Sequence, residues 1–573
     1  MTDVPDKPET PVALAQSTPA TPVRPDVSVL QDRVPPQFKA SSLVAGTAAA
    51  FGLLYLVLSY APIWHTDIWG HLSYGRWMAQ TGHVPTTEPL VPLARGVPFV
   101  DTAWLSQWIG YQAISLWGPP AIQAAYALAV TMMAGLLAVT LYRRTSRVPP
   151  TVFGVLTFGW LNYQPLSIQR PQLAGMLCFT LLFCWLTSAR WRSWYWFAVP
   201  ALFGLWANLH GSFPIGLIFI ALLAVGAAID AGRHLKESAG ALRFRPALRL
   251  VLLLELAAAA VLLNPYGIGL YVETLTFSSN PNLSDLVEWD PLNVRMPHGV
   301  AAAAVGALLA LAYRMSPRRA RISEALVLVA LGAMALWHSR MLVWWSIPAA
   351  YYLGLHVGAV WKQKEDAEPR PFKRGGRWSV ITLGIAWICF AYTPFGVVLL
   401  HGRPQPGPEA EDEFRQSVSR QTPVAAVKYL VDRNLPAPLF NTYEWGDYLL
   451  WAGPADNPPF VNSHAHLIPE EIWDDYMGIS HGDEGWQFGL DRYGINTVLL
   501  DQRVRGPLIE ALKRNTDWTL EYEDNVAAIF VRNNLIGQTR AVEEKQEATE
   551  STEDQEVAAN DEQQKSQDSQ DVE

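Results

Sequence analysis

Charged side chains are scarce in this sequence. They make up 17% of the residues, against about a quarter in an ordinary soluble domain. Cysteine is scarcer still. Cys178, Cys184 and Cys389 all lie inside apolar runs, where they read as small buried apolar groups rather than a disulfide framework or a metal centre. A basic surface is lacking too. The formal net charge is −9, but residues 541–573 hold 12 acids and two lysines, which leaves about +1 for the rest. Nucleic acid is therefore not an expected partner. Residues 1–40 contain no apolar stretch, so no cleavable secretion signal is expected there; rich in Pro, Thr and Ala, they read as a disordered N-tail.

What the chain has instead is long apolar runs, at about 41–63, 119–142, 151–166, 171–189, 194–210, 213–231, 247–264, 299–313, 322–338, 341–361 and 378–401. A span needs roughly 17–25 residues. The pattern predicts an α-helical polytopic membrane protein of about eleven transmembrane helices over 41–401. With the N-terminus placed in the cytoplasm, inner loops carry twenty Arg and Lys, and outer loops only Arg76, Arg95, Arg170, Arg295 and Arg340. That asymmetry follows the positive-inside rule. It predicts a bacterial inner-membrane protein with the segment after 401 outside. Residues 405–535 read as an extracytoplasmic α/β domain. Thr422 and Pro423 start a helix over 422–433, and APLFN, PFVN, NTVLLD and AAIFVR read as strands. Residues 536–573 are expected to be a disordered acidic tail.

Polar motifs gather on the predicted outer side: HTDIWGH at 65–71 in a long first loop (64–118), SIQRPQ at 167–172, WANLHGSF at 206–213, NPYG at 264–267, VEWDP at 287–291, WHSRM at 337–341 and NTYEWGDYL at 441–449. Polar groups at a membrane face are costly unless they bind, pair or line water-filled cavities. Within the first loop, residues 67–79 and 101–117 can form two helices. They either lie in the interface on their Trp-bearing faces or pack the bundle.

This architecture, with the segments DIWGHLSYGRWMAQTGHVPTTEP, VDTAWLSQW, QRPQL, WANLHGSF, LNPYG, EWDP and NTYEWGDYLLW, resembles the GT-C superfamily of membrane glycosyltransferases, and more closely a bacterial group related to them. The resemblance covers roughly 41–535. It implies a lipid-linked sugar donor of the polyprenyl-phosphate type, with an unspecified glycan, lipid or protein acceptor. It also implies a catalytic acid near the start of the first loop. The acidic doublet frequent in that superfamily is absent here, where the chain reads Thr66-Asp67-Ile68.

Transfer of a sugar from such a donor needs a base for the acceptor proton and cations for the departing phosphate. Asp67 is the expected general base, although Asp also favours helix N-caps. His65, His71 and Arg76 are candidates for phosphate or sugar contacts, and Glu88 and Asp101 for a second carboxylate. Arg170 and Arg340 suit phosphate by their fork geometry, or else snorkel to headgroups. His210 is a substrate contact or a structural histidine. No cofactor is firmly implied, but a divalent metal on His65, Asp67 and His71 stands as an alternative. In the C-terminal domain Tyr443, Glu444, Trp445 and Asp447 either recognise sugar or pack that domain, and His464 and His466 form a ligand pair or a turn. Two rival functions remain open: a flippase of lipid-linked saccharide, and a non-catalytic scaffold.

Overall fold

The computed structural model describes residues 34–188, 190–233, 244–364, 372–405 and 407–533. Of the N-tail expected to be disordered over 1–40, residues 1–33 lie outside the described residues, as does the 536–573 tail, while Pro36–Phe38 form a short 3-10 helix. Two compact units partition the chain. The smaller comprises residues 1–50 and 371–387, the larger 51–370 and 388–573. In the smaller, Ser42 N–H donates to Lys373 O at 2.9 Å and Gly375 N–H to Ala40 O at 3.1 Å. Apart from the start of the helix Gly376–Ala391, everything described below lies in the larger.

The apolar runs form helices, but not eleven full spans. Three described helices are long and apolar enough to cross a membrane: Pro119–Thr145, Phe213–Arg233 and Pro297–Met315. The first shows why it starts and stops where it does. Pro119 and Pro120 open it after Gly118, and Arg143 and Arg144 occupy its last turn, where cations oppose the helix dipole. The run expected at 378–401 is two helices, Gly376–Ala391 and Pro394–His401. Pro394 cannot continue the first helix, and Thr393 caps the second by accepting from Gly396 N–H at 2.9 Å. Gln172–Leu186, Tyr195–Leu209 and Ile322–Trp337 have only 15, 15 and 16 residues. At about 1.5 Å per residue they fall short of a ~30 Å hydrocarbon core, because their ends meet polar junctions at Arg170, His210 and His338. These helices share a core in which Phe183 packs on Phe219 and Tyr351, with ring centroids 5.4 and 5.1 Å apart.

Near the C-terminus four strands form a small sheet: β1 (Leu439–Asn441), β2 (Thr497–Asp501), β3 (Trp518–Glu523) and β4 (Ala527–Arg532), in the order β1-β2-β4-β3. β1 runs parallel to β2, with Leu439 opposite Thr497, and the other pairs are antiparallel. PFVN is not a strand. The Asn441 side chain occupies its backbone instead, accepting from Phe460 N–H at 2.8 Å and donating to Val461 O at 2.9 Å. β3 escaped the apolar-run criterion because WTLEYE is largely polar and lies at the sheet edge, with only Trp518 fully buried.

The first loop forms the helices Asp67–Thr81 and Trp104–Trp117. They cross closely at Gly75, where a Cβ would fall 2.2 Å from the Gln107 carbonyl oxygen. Neither interfacial exposure nor simple bundle packing describes the first helix. Ile68, Trp69 and Leu72 are buried, and Trp69 packs against Phe414, Tyr448 and Trp451 at centroid distances of 5.6, 5.7 and 5.6 Å. Its apolar face is the seat of the C-terminal domain. Tryptophan is exposed elsewhere in the loop, at Trp64 and Trp108.

Candidate functional site

Residues 61–66 reach the start of the Asp67–Thr81 helix under several restraints. Ile63 N–H donates to Ser417 O at 2.7 Å, and Ser419 N–H donates back to Ile63 O at 2.9 Å. The Gln169 amide takes Trp64 N–H at 3.1 Å and donates to Pro62 O at 3.0 Å. Thr66 Oγ1 donates to the Glu444 carbonyl. Gln169 thus holds the backbone of the motif while its neighbour Arg170 holds the acid.

Asp67 is the first helical residue and not the cap. Its Oδ1 lies 2.7 Å from His65 Nδ1 and its Oδ2 3.1 Å from Arg170 Nη1. Burial acts to raise its pKa, but His65 and Arg170 overcome this and hold it below the ordinary carboxylate range. The charge of Asp67 in turn raises His65. The ladder continues through Glu288. Its Oε2 takes Arg170 Nη2 at 3.2 Å and its Oε1 takes Arg340 Nη1 at 3.1 Å. Burial opposes ionisation of Glu288 as well, but Arg340 and Arg170 prevail and lower it. Arg340 lies over the Trp289 ring, 4.4 Å from its centroid. The two turns that carry these groups are tied together, because Ser339 Oγ donates to Glu288 O at 3.1 Å. Charges paired in this way tolerate burial that each alone would not.

The ladder borders a cavity of ≈ 150 Å³ lined by Asp67, Arg170, Glu288 and Arg340 on one side and by His71, Asp101 and Gln107 on another. His210, His464 and His466 also line it. Gln107 Nε2 lies 3.2 Å from His71 Nδ1 and 2.9 Å from Asp101 Oδ1. Burial pushes the Asp101 carboxyl up to about 7, with Glu88 adding to the effect. Burial drives His71 and His210 down to about 3, and it lowers His464 and His466 too. These four imidazoles are therefore neutral at pH 7 and offer one donor and one acceptor each.

Several expected site residues lie elsewhere. Arg76 does not line the cavity; it donates to Leu450 O at 2.6 Å and Trp451 O at 3.1 Å and lies over the Trp451 ring. Nine residues beyond Asp67, it sits half a turn round the helix on the opposite face. Glu88 is buried as a loop anchor, taking Tyr74 O–H at 2.7 Å and the N–H groups of Leu90 and Val91 at 2.7 and 2.9 Å. Tyr443 packs on Trp473 at 5.8 Å, Trp445 is in a core, and Glu444 faces Arg505 at 3.7 Å. The first two aromatics are thus not free platforms for sugar. Asp447 reaches the Asp67–Thr81 helix from the Tyr443–Ala452 helix. A Cβ on Gly70 would fall 2.1 Å from its Oδ1, so any side chain there would displace the Asp447 carboxyl. Burial, then the charge of Asp67, keeps Asp447 well above the usual carboxylate range. Asp67 therefore carries the charge of this pair. Among the described residues no three His, Cys, Asp or Glu are grouped to hold a metal ion, and the alternative set His65, Asp67 and His71 is split between Arg170 and Gln107.

Glu288, in the motif EWDP, joins the site with no local signal of the two arginines it meets. His464 lines the cavity and stacks on Tyr74, with centroids 4.8 Å apart and planes 17° apart. Its aromatic neighbours come from the first loop, and no local pattern announces them.

Among solved structures the chain is similar to the Archaeoglobus fulgidus oligosaccharyltransferase tethered to an acceptor peptide containing the NVT sequon, at 13% identity over 86% of this chain and 74% of that one, with a TM-score of 0.45. It is also similar to ArnT from Cupriavidus metallidurans, bound to undecaprenyl phosphate (13% identity, 85% and 97% covered, TM-score 0.46) and in the apo state (14%, 85% and 97%, 0.46). No family model and no curated protein matches.

Proposed function

We propose that this chain is an integral-membrane glycosyltransferase that moves a sugar from a polyprenyl-phosphate-type donor to an acceptor hydroxyl at the outer membrane face. One observation carries the reading. A polar cavity has two guanidinium groups, Arg170 and Arg340, on one wall with an ionised carboxylate, Asp67, against the first of them. Guanidinium forks match phosphate oxygens. Arg170 Nε and Trp289 Nε1, on residues of the same wall, are buried without a hydrogen-bond partner among the described residues. Buried donors of this kind are costly unless a ligand supplies the acceptor.

In this reading the isoprenoid stays in lipid and the donor phosphate competes with Asp67 and Glu288 for the Arg170 hydrogens. Asp67, released from that contact, takes the proton of the acceptor hydroxyl. The acceptor oxygen forms its bond to C1 as the C1–O bond to phosphate breaks, and the lipid phosphate leaves with the electron pair, its charge held by Arg170 and Arg340. One carboxylate suffices for direct inversion, whereas retention through a covalent intermediate needs a second placed opposite, by analogy with glycoside hydrolysis.

The test uses the full chain in lipid nanodiscs. It is expected to bind undecaprenyl phosphate and, with a bacterial envelope extract as acceptor source, to release that lipid from an undecaprenyl-phosphate hexose. Failure to bind the lipid phosphate at all overturns the reading. Topology is tested separately. Reporter fusions at residues 375 and 450 are expected to report opposite sides of the membrane, and the same side for both ends the case for an outer-face site.

A further inference from the structure

The cavity is not chemically uniform. On the wall already assigned to phosphate, the buried polar atoms without a partner are donors, Arg170 Nε and Trp289 Nε1. On the opposite chemistry stand Asp101 Oδ2 and Gln107 Oε1, two buried oxygens on cavity-lining residues that also lack a partner among the described residues. Both side chains are 2% exposed. Neither is an accident of a loose side chain. Asp101 Oδ1 is held by Ala103 N–H at 3.0 Å and by Gln107 Nε2 at 2.9 Å, and Gln107 Nε2 is held again by His71. These contacts fix both groups and leave one acceptor on each unused. His464 Nδ1, on another cavity-lining residue, is buried and unpartnered too. Native structures rarely leave such groups unsatisfied unless a ligand or water completes them.

We propose that Asp101, Gln107 and His464 form a subsite for the hydroxyl-bearing ring of the transferred sugar, selective for a neutral ring. This rests on the transferase reading above. Two unused oxygens call for groups that donate hydrogen bonds, which sugar hydroxyls do. A carboxylate on the ring has no hydrogen to give to Gln107 Oε1.

The test measures binding by the full chain in nanodiscs to three probes: undecaprenyl phosphate, undecaprenyl-phosphate glucose and undecaprenyl-phosphate glucuronate. The glucose-bearing lipid is expected to bind more tightly than the bare lipid phosphate, and the glucuronate-bearing lipid not to. Asp101→Asn keeps the Oδ1 contacts but sets a donor where the free acceptor was. Gln107→Met removes the second acceptor. Each is expected to reduce the glucose increment by about two- to tenfold, the range of one lost hydrogen bond, and to leave undecaprenyl phosphate bound as before. That unchanged binding also certifies that the variants fold. An increment unaltered in both variants overturns the subsite, and so does equal binding of the glucuronate probe. If undecaprenyl phosphate itself does not bind, it is the transferase reading that fails. The subsite is then judged with methyl glucoside alone by saturation-transfer NMR, where contact in the parent that persists in both variants, or no contact in the parent, overturns it.

Discussion

Asp67→Asn is expected to lose about 10²–10⁴-fold in sugar transfer, the usual contribution of a general base, while undecaprenyl phosphate binding falls far less. Asn has nearly the same shape and keeps an oxygen for His65, which lies 2.7 Å from Asp67 Oδ1. Its amide group cannot take the acceptor proton, however, and it turns a donor toward Arg170. Arg170 still retains Glu288, so the phosphate wall survives. A purely structural role for Asp67, the first residue of its helix, gives the opposite result, and the variant then turns over normally. Acid titration supplies an independent readout. His65 and Arg170 outweigh burial and hold the Asp67 pKa below the ordinary range. A group depressed on folding stabilises the native state above its unfolded pKa of ~3.9 and loses that contribution as pH falls below it. The parent is therefore expected to lose its stability advantage over Asp67→Asn on acidification below about pH 4. Full transfer by the variant, with any accepted donor, ends the role of Asp67 as base.

Arg170→Gln and Arg340→Gln are each expected to weaken undecaprenyl phosphate binding by roughly 10- to 150-fold, the range for a lost hydrogen bond to a charged group of about 1.5–3 kcal/mol. Arg170 should lie at the upper end, because it joins Asp67 to Glu288. The two effects should not add in the double variant, since both arginines share the Glu288 carboxylate and coupled neighbours depart from additivity. Arg340→Lys should rescue poorly, because an ammonium has neither the fork that meets Glu288 nor the plane that lies over Trp289. If the arginines only snorkelled to headgroups, Lys would serve as well as Arg. Affinity unchanged in both Gln variants returns them to that role.

Arg76 is near Asp67 in sequence, yet nine residues of helix place it on the far face, where it binds the backbone of Leu450 and Trp451. Helical period alone could have removed it from the site. Glu88 looked like a spare carboxylate, but both its oxygens are used in holding its own loop. The run at 378–401 looked continuous in hydropathy, though Thr393-Pro394 carries a cap and a break that hydropathy does not weigh. Glu288 was overlooked for a different reason. Its partners Arg170 and Arg340 are 118 and 52 positions away, and nothing local in EWDP marks the charge it meets.

The sequence by itself determined the elements and their ends. Apolar length called for helices, Pro and Gly punctuated them, and the apolar-to-polar change after Ile63 set the start of the Asp67 helix. These are local effects, settled by each residue's own propensity and by neighbours three or four positions away. The tertiary structure alone decided which polar ends meet. It brought Asp67 to Arg170 across 103 positions, set Asp447 against Gly70 from the C-terminal domain, and left Asp101 and Gln107 each with an unused acceptor. It also decided their charge states. Asp67, Asp101 and Asp447 are the same side chain in the sequence. Burial beside cations keeps the first ionised, and burial without them favours the proton on the other two; that difference exists only once the chain has folded.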